Sequence, residues 1–166
     1  MKKQALITGA TSGIGRATAL RLAAEGYDIT ATGRRAERLE TLRREIEAAG
    51  GRCTALVFDV RSEAEVRKFL SPLERVDLLI NNAGLAAGLE HIDQGDTADW
   101  DAMIDTNVKG LLYVTRVVTP KMVAAGGGHV FNIGSIAGTE AYENGAVYCA
   151  STVSYTHLTL PTMVSV

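Results

Sequence analysis

Short apolar runs alternate with amphipathic stretches from the first residues onward. Residues 4–8 form one strand-length apolar run. Residues 13–25 read as a helix ended by Gly26, and residues 28–32 as a second strand. Residues 36–49 place Leu39, Leu42, Ile46 and Ala49 on one helical face, with charged residues on the others. Gly50 and Gly51 stop that helix, and residues 53–58 follow as a third strand. Residues 62–70 read as a helix opened by a capping box, Ser62 with Glu65, and closed before Pro72. Residues 76–81 make a fourth strand. From Asp99 to about Ala125 the spacing of Trp100, Ile104, Val108 and Leu111 predicts one long helix or two abutting ones. Gly126 to Gly128 break it, and residues 130–133 give a fifth strand.

Strict alternation of strand and helix implies an α/β fold with a parallel sheet and helices on both faces. A Rossmann-type doubly wound sheet and a flavodoxin-like sheet both satisfy the pattern. The first strand-to-helix turn favours the Rossmann type. It reads Thr8, Gly9, Ala10, Thr11, Ser12, Gly13, Ile14, Gly15, a G-x3-G-x-G spacing. Glycines there let the backbone turn sharply and approach a pyrophosphate. The helix starting near Gly13 would aim free N–H groups and its positive dipole end at the phosphates.

Six motifs then occur in order: Thr8-Gly9-x3-Gly13-x-Gly15, Asp59-Val60, Asn81-Asn82-Ala83-Gly84, Asn107, Ser135 and Tyr148. Together they make the chain resemble the short-chain dehydrogenase/reductase family across residues 1–151. The wording of residues 31–39, 81–86 and 100–111 is also similar to NADP-dependent 3-hydroxy acid dehydrogenases that oxidise serine and L-allo-threonine. The resemblance implies an oxidoreductase that moves a hydride between a nicotinamide dinucleotide and an alcohol or ketone. It assigns Asp59 and Val60 to the adenine side, and Asn81, Ala83 and Gly84 to the adjoining cofactor wall. It assigns Tyr148 as acid/base, Ser135 as holder of the substrate oxygen, and Asn107 to a water-mediated proton relay. The second rival reading is a dinucleotide-binding, redox-sensing module without catalysis.

Charge selects between cofactors. An NAD-preferring site places an acid just past the second strand for the ribose hydroxyls, and that acid repels a 2′-phosphate. This chain has Thr32, Gly33, Arg34 and Arg35 there, and no acid. The two arginines can give forked, charge-assisted hydrogen bonds to a phosphate. The expected cofactor is NADP rather than NAD, with Thr8, Gly9, Thr11, Ser12, Gly13, Ile14 and Gly15 under its phosphates.

One position departs from the family pattern. An ordinary phenol has a pKa of ~10 and is a poor base at neutral pH, so a nearby cation is needed. In the family a lysine four residues after the tyrosine provides it; here that position is Thr152. The encoded chain is therefore expected to be a poor enzyme. Residues 153–162 also resemble one reading frame of a transposase-derived sequencing adaptor. In that frame a native codon beginning with A, as lysine codons do, becomes a threonine codon at position 152. Residues 152–166 are accordingly expected to be non-native, and 1–151 to be the N-terminal part of one Rossmann domain, truncated after the fifth strand. The fifth strand is then expected at a bare sheet edge.

Composition narrows the partners. The net charge of −2 gives no basic patch for nucleic acid or an anionic membrane. No leader-like or membrane-spanning run is seen, so a cytoplasmic location is expected. Cys53 and Cys149 have no metal-like spacing, no metal is expected, and both read as buried thiols. The parent protein, by its resemblance, is expected to be a homodimer or homotetramer acting on a small alcohol or ketone.

Overall fold

The computed structural model describes residues 2–156 and residue 158. Five parallel strands form one sheet: β1 Gln4–Ile7, β2 Asp28–Gly33, β3 Cys53–Val57, β4 Leu78–Asn81 and β5 His129–Asn132. Their order is β3-β2-β1-β4-β5, so the chain reverses direction across the sheet between β1 and β4. Helices α1 Gly13–Ala24 and α2 Ala36–Ala48 cover one face. Helices α3 Glu63–Leu70 and α5 Leu111–Ala124 cover the other. The two-residue period of a strand sorts the core. Ala5, Ile7, Leu78 and Ile80 pack toward α1 and α2 with Leu39, Leu42 and Ile46. Leu6 and Leu79 point the opposite way, to Val66, Leu70, Val114 and Val118. This doubly wound arrangement is the Rossmann type.

Boundaries shift where local hydrogen bonds decide them. Ser62 caps α3 from outside, its Oγ accepting the Glu65 N–H at 3.2 Å. The capping box closes only halfway: the Glu65 carboxylate accepts the Asp59 N–H at 2.9 Å instead of that of Ser62. The long helical stretch is three segments. Helix α4, Thr97–Met103, is capped by Asp96, whose Oδ1 accepts the Ala98 N–H at 2.8 Å. A π-helical turn, Ile104–Gly110, then leads into α5. Pro120 sits inside α5, so the irregularity falls at the π-helical turn and not at the proline. A 3-10 turn, Ile136–Gly138, and helix α6, Ala146–Val153, follow β5. Thr152 and Val153, expected to lie in a tail outside the fold, complete the last turn of α6. Residues 157 and 159–166 of that tail lie outside the described residues. Strand β5 pairs with β4 on one side and closes the sheet order on the other.

Candidate dinucleotide and substrate site

Loops at the C-terminal ends of β1, β2, β3 and β4 open an elongated cleft of about 560 Å³ at the point where the strand order reverses. In open α/β sheets this is where ligands bind. One wall is Gly9, Thr11, Ser12, Gly13 and Ile14; a second is Arg34 and Arg35; a third is Asp59 and Val60; the last includes Ala83 and Gly84. Helix α1 begins here with no side chain capping its first N–H groups. Such a terminus suits an anion.

Close packing holds the loop against the end of β4. A Cβ on Gly9 would lie 2.8 Å from the Cα of Ala83, and one on Gly15 would lie 2.7 Å from the Gly9 oxygen and collide with the Asn82 amide. Gly15 is therefore buried and does not line the cleft. Thr8 also works from behind. It is 2% exposed, and its Oγ1 accepts the N–H groups of Asn82 and Ala83, each at 3.0 Å. The Asn82 amide returns a hydrogen bond to the Thr8 oxygen at 2.9 Å.

The two arginines divide. Arg35 reaches across to the loop, donating to Thr11 Oγ1 at 3.1 Å and to Ser12 Oγ at 2.8 Å. Arg34 is exposed and lies 3.9 Å from Asp59. Asp59 is held by Arg61, whose guanidinium donates at 2.9 and 2.7 Å and whose N–H donates at 3.0 Å. Burial disfavours the Asp59 charge, but the Arg61 hydrogen bonds and the charges of Arg61 and Arg34 outweigh it and lower the carboxyl below its ordinary value.

A second cavity of about 330 Å³ continues the first through Ile14 and residues 82–85. Asn81, Asn107 and Tyr148 line it, with Tyr155 opposite. Asn81 donates to Thr115 and to Asn132, each at 3.0 Å. Asn107, on the π-helical turn and 4% exposed, accepts the Leu85 N–H at 2.9 Å and donates to the Leu85 oxygen at 2.8 Å. It also donates to Ser151 Oγ at 2.9 Å, and Ser151 donates to the Tyr148 carbonyl at 2.8 Å. π-Helical turns recur at functional sites. Here the turn aims one amide at both the cavity rim and the helix carrying Tyr148. Thr152, one turn beyond Tyr148, is buried and donates back to the Cys149 oxygen at 3.0 Å.

Among the residues expected from sequence, Tyr148 and the phosphate-loop residue Ile14 share one cavity. Among the described residues Ser135 lines neither cavity; its Oγ accepts the Ala137 N–H at 3.2 Å and caps the 3-10 turn. Sequence reasoning passed over Phe58, Asn82, Leu85 and Thr106, which complete the main cleft. The Thr106 hydroxyl there is buried without a partner among the described residues. Asn82 was detectable, since it stands inside the quoted motif. Tyr155 fell within the excluded tail. Among the described residues no three His, Cys, Asp or Glu side chains are grouped to hold a metal. No helix among them is long and apolar enough to cross a membrane.

The family model described as short chain dehydrogenase matches residues 3–164. The NADP-dependent 3-hydroxy acid dehydrogenase YdfG of Salmonella typhi is 45% identical over 150 residues, covering 88% of this chain and 59% of that protein. Sulfoacetaldehyde reductase 2 of Chromohalobacter salexigens is 46% identical over 151 residues, covering 88% of this chain and 60% of that protein. The chain thus spans about three fifths of these curated relatives. A solved structure described as the closed form of serine dehydrogenase complexed with NADP+ superposes with a TM-score of 0.86 at 42% identity, covering 91% of this chain and 61% of that one.

Proposed function

Because the chain belongs to the short-chain dehydrogenase family, we propose that the whole protein is an NADP-dependent oxidoreductase acting on a secondary alcohol or its ketone, with 3-hydroxy acids as the substrate class. The observation that carries this is the shared cavity of Tyr148 and Ile14, which sets a phenol beside the turn that suits a dinucleotide's phosphates. The cleft fits NADP by its donors, an uncapped helix terminus, Arg34 and Arg35, and a Thr106 hydroxyl without a partner among the described residues, and by having no acid at the end of β2. The nicotinamide ring, when bound, accepts or returns the hydride.

The chain supplies position and proton management. Arg35, already bonded to Thr11 and Ser12, turns its donors to the 2′-phosphate together with Arg34. Asp59, kept ionised by Arg61, accepts from the adenine amino group. Tyr148 takes the substrate's hydroxyl proton, and Ser135, next to the cavity-lining Gly134, holds the oxygen with the O–H that its bond from Ala137 leaves free. Asn107 keeps α6 and the Leu85 backbone in register. The whole protein assembles as a homodimer or homotetramer through α5 and α6.

Thr152 favours a second reading for the chain as encoded: it binds the dinucleotide but turns over poorly, because a neutral threonine gives the phenol no cationic neighbour. Calorimetric titration with NADP+ and NAD+ tests the first half of the proposal. Tighter NADP+ binding is expected, reversed by Arg34→Asp; tighter NAD+ binding by the unaltered protein sinks it. In the whole protein, kcat is expected to be about 10²-fold or more higher with lysine than with threonine at position 152, on the scale of acid–base catalysis.

A further inference from the structure

The NADP reading meets an opposing charge inside the cleft itself. Among the described residues Asp59 is the one acid lining it, and Asp59 Oδ2 lies 3.9 Å from Arg34. An ionised carboxylate there works against a 2′-phosphate in two ways. It repels the phosphate, because like charges a few ångströms apart interact strongly where water is partly displaced. It also competes with the phosphate for Arg34, whose side chain is 60% exposed and turns toward the stronger anion. The absence of an acid at the end of β2 is therefore not enough to make this wall suit a phosphate.

Arg61 answers both difficulties. Its Nε and Nη2 donate to Asp59 Oδ2 at 2.9 and 2.7 Å, and its N–H donates to Oδ1 at 3.0 Å. Oδ2, the oxygen nearest Arg34, is thus hydrogen-bonded to Arg61 and only in ionic range of Arg34. The backbone beneath the carboxylate is tied as well: the Asp59 N–H donates to Glu65 at 2.9 Å, and the Asp59 oxygen accepts the Ser62 N–H at 3.1 Å. Asp105 also attracts Arg61, but Asp105 is itself paired with Lys109 at 2.7 Å. Arg61 does not line the cleft among the described residues, so what it does there it does through Asp59.

Resting on the NADP reading above, we infer that Arg61 is a positioning residue for cofactor choice: by engaging Asp59 it offsets the one acid on the adenosine wall and leaves Arg34 to the 2′-phosphate. NAD carries no 2′-phosphate, so it neither needs Arg34 nor meets the repulsion. The adenine ring is common to both nucleotides, and any effect of Arg61 on its contact with Asp59 cancels in their ratio. Loss of Arg61 therefore falls on NADP more than on NAD.

The test is calorimetric titration of the whole protein with NADP+ and NAD+, read as the ratio of the two Kd values. Arg61→Gln is expected to lower the preference for NADP+ about threefold to tenfold, the scale of one partly exposed charged contact. Arg61→Lys keeps the charge and is expected to restore part of it. Asp59→Asn removes the opposing charge, keeps an acceptor, and is expected to raise the preference. Adding Arg61→Gln to Asp59→Asn is then expected to change the ratio by less than about twofold, because the two residues act as one unit. Equal weakening of both nucleotides by Arg61→Gln would mean that Arg61 only braces the turn before α3, and overturns the inference. So does an undiminished loss of preference in the Asp59→Asn background, which would mean that Arg61 meets the phosphate directly. In both cases tighter NADP+ binding by the unaltered protein leaves the NADP reading standing. Tighter NAD+ binding by the unaltered protein overturns that reading and the role of Arg61 together.

Discussion

The two ends of the sheet are built differently. Between β2 and α2, Ile29, Ala31, Leu39, Leu42 and Ile46 are almost wholly enclosed, while the edge strand β3 exposes side chains at Thr54 and Val57. At the other end β5 alternates exposed and half-buried positions, and Phe131 is 55% exposed. The dinucleotide cleft is framed by the first three strand ends and the loop after β4, whereas Tyr148 stands on α6, beyond β5. On the proposed function, nucleotide binding and chemistry at the phenol would draw on regions of unequal burial. What couples them is the Asn107 amide, which touches the rim of one cavity and the helix of the other.

The contrast can be broken most decisively in the core. Leu42→Ala is expected to cost about 3 kcal/mol, from lost burial plus the cavity left behind. Phe131→Ala is expected to stay within about 0.5 kcal/mol. Urea unfolding of the two variants checks this, and equal costs would erase the distinction. Next comes the coupling residue. Asn107→Ala removes three hydrogen bonds and strands the Leu85 backbone, for about 2–3 kcal/mol. Hydrogen exchange should then quicken in α6 while β2 stays protected.

The two free thiols sharpen the comparison further. Burial, aided by the charge of Glu47, pushes the Cys53 thiol up to about 11. Cys53 should resist alkylation at pH 8 until the whole domain unfolds, and Cys149 on α6 should react earlier through local opening. Simultaneous labelling would argue that both ends open together. The smallest effect belongs to the surface of α2. Hydrogen bonds from Arg43 and Arg44 hold Glu40 at about 2. Because the folded value is depressed, the carboxylate's stabilisation is complete above its ordinary pKa and is lost as pH falls through about 2. An NMR titration of Glu40 reads this directly, and a midpoint near 4.5 would refute it.

Most of the sheet was legible because parallel strands buried on both faces leave continuous apolar runs, and the runs at Gln4–Ile7 and Leu78–Asn81 are of that kind. The glycine turn was legible because its residues touch backbone, which constrains their type. The π-helical turn was not, since Ile104 and Leu111 keep an ordinary helical spacing across it and the extra residue per turn has no signature in hydrophobicity. The roles of Thr8 and Asn82 depended on contacts between positions more than seventy residues apart, which local pattern does not carry. Arg35 was readable as a cation past β2, but its grip on Thr11 and Ser12 required the loop and α2 to be placed together. The Thr106 hydroxyl has no sequence signature for a related reason: lacking a partner among the described residues is a property of surroundings, not of a motif.

The position of β1 between β2 and β4 has a consequence for a chain emerging from its N-terminus. By the time β3 is made, the glycine turn and both arginines exist, yet one side of the crevice is vacant. The wall at Asn82 to Leu85 arrives only with β4, inserted against a strand synthesised some seventy residues before. Affinity for a nucleotide should therefore switch on abruptly during elongation, making ligand capture a timer for when the nascent sheet has found its order.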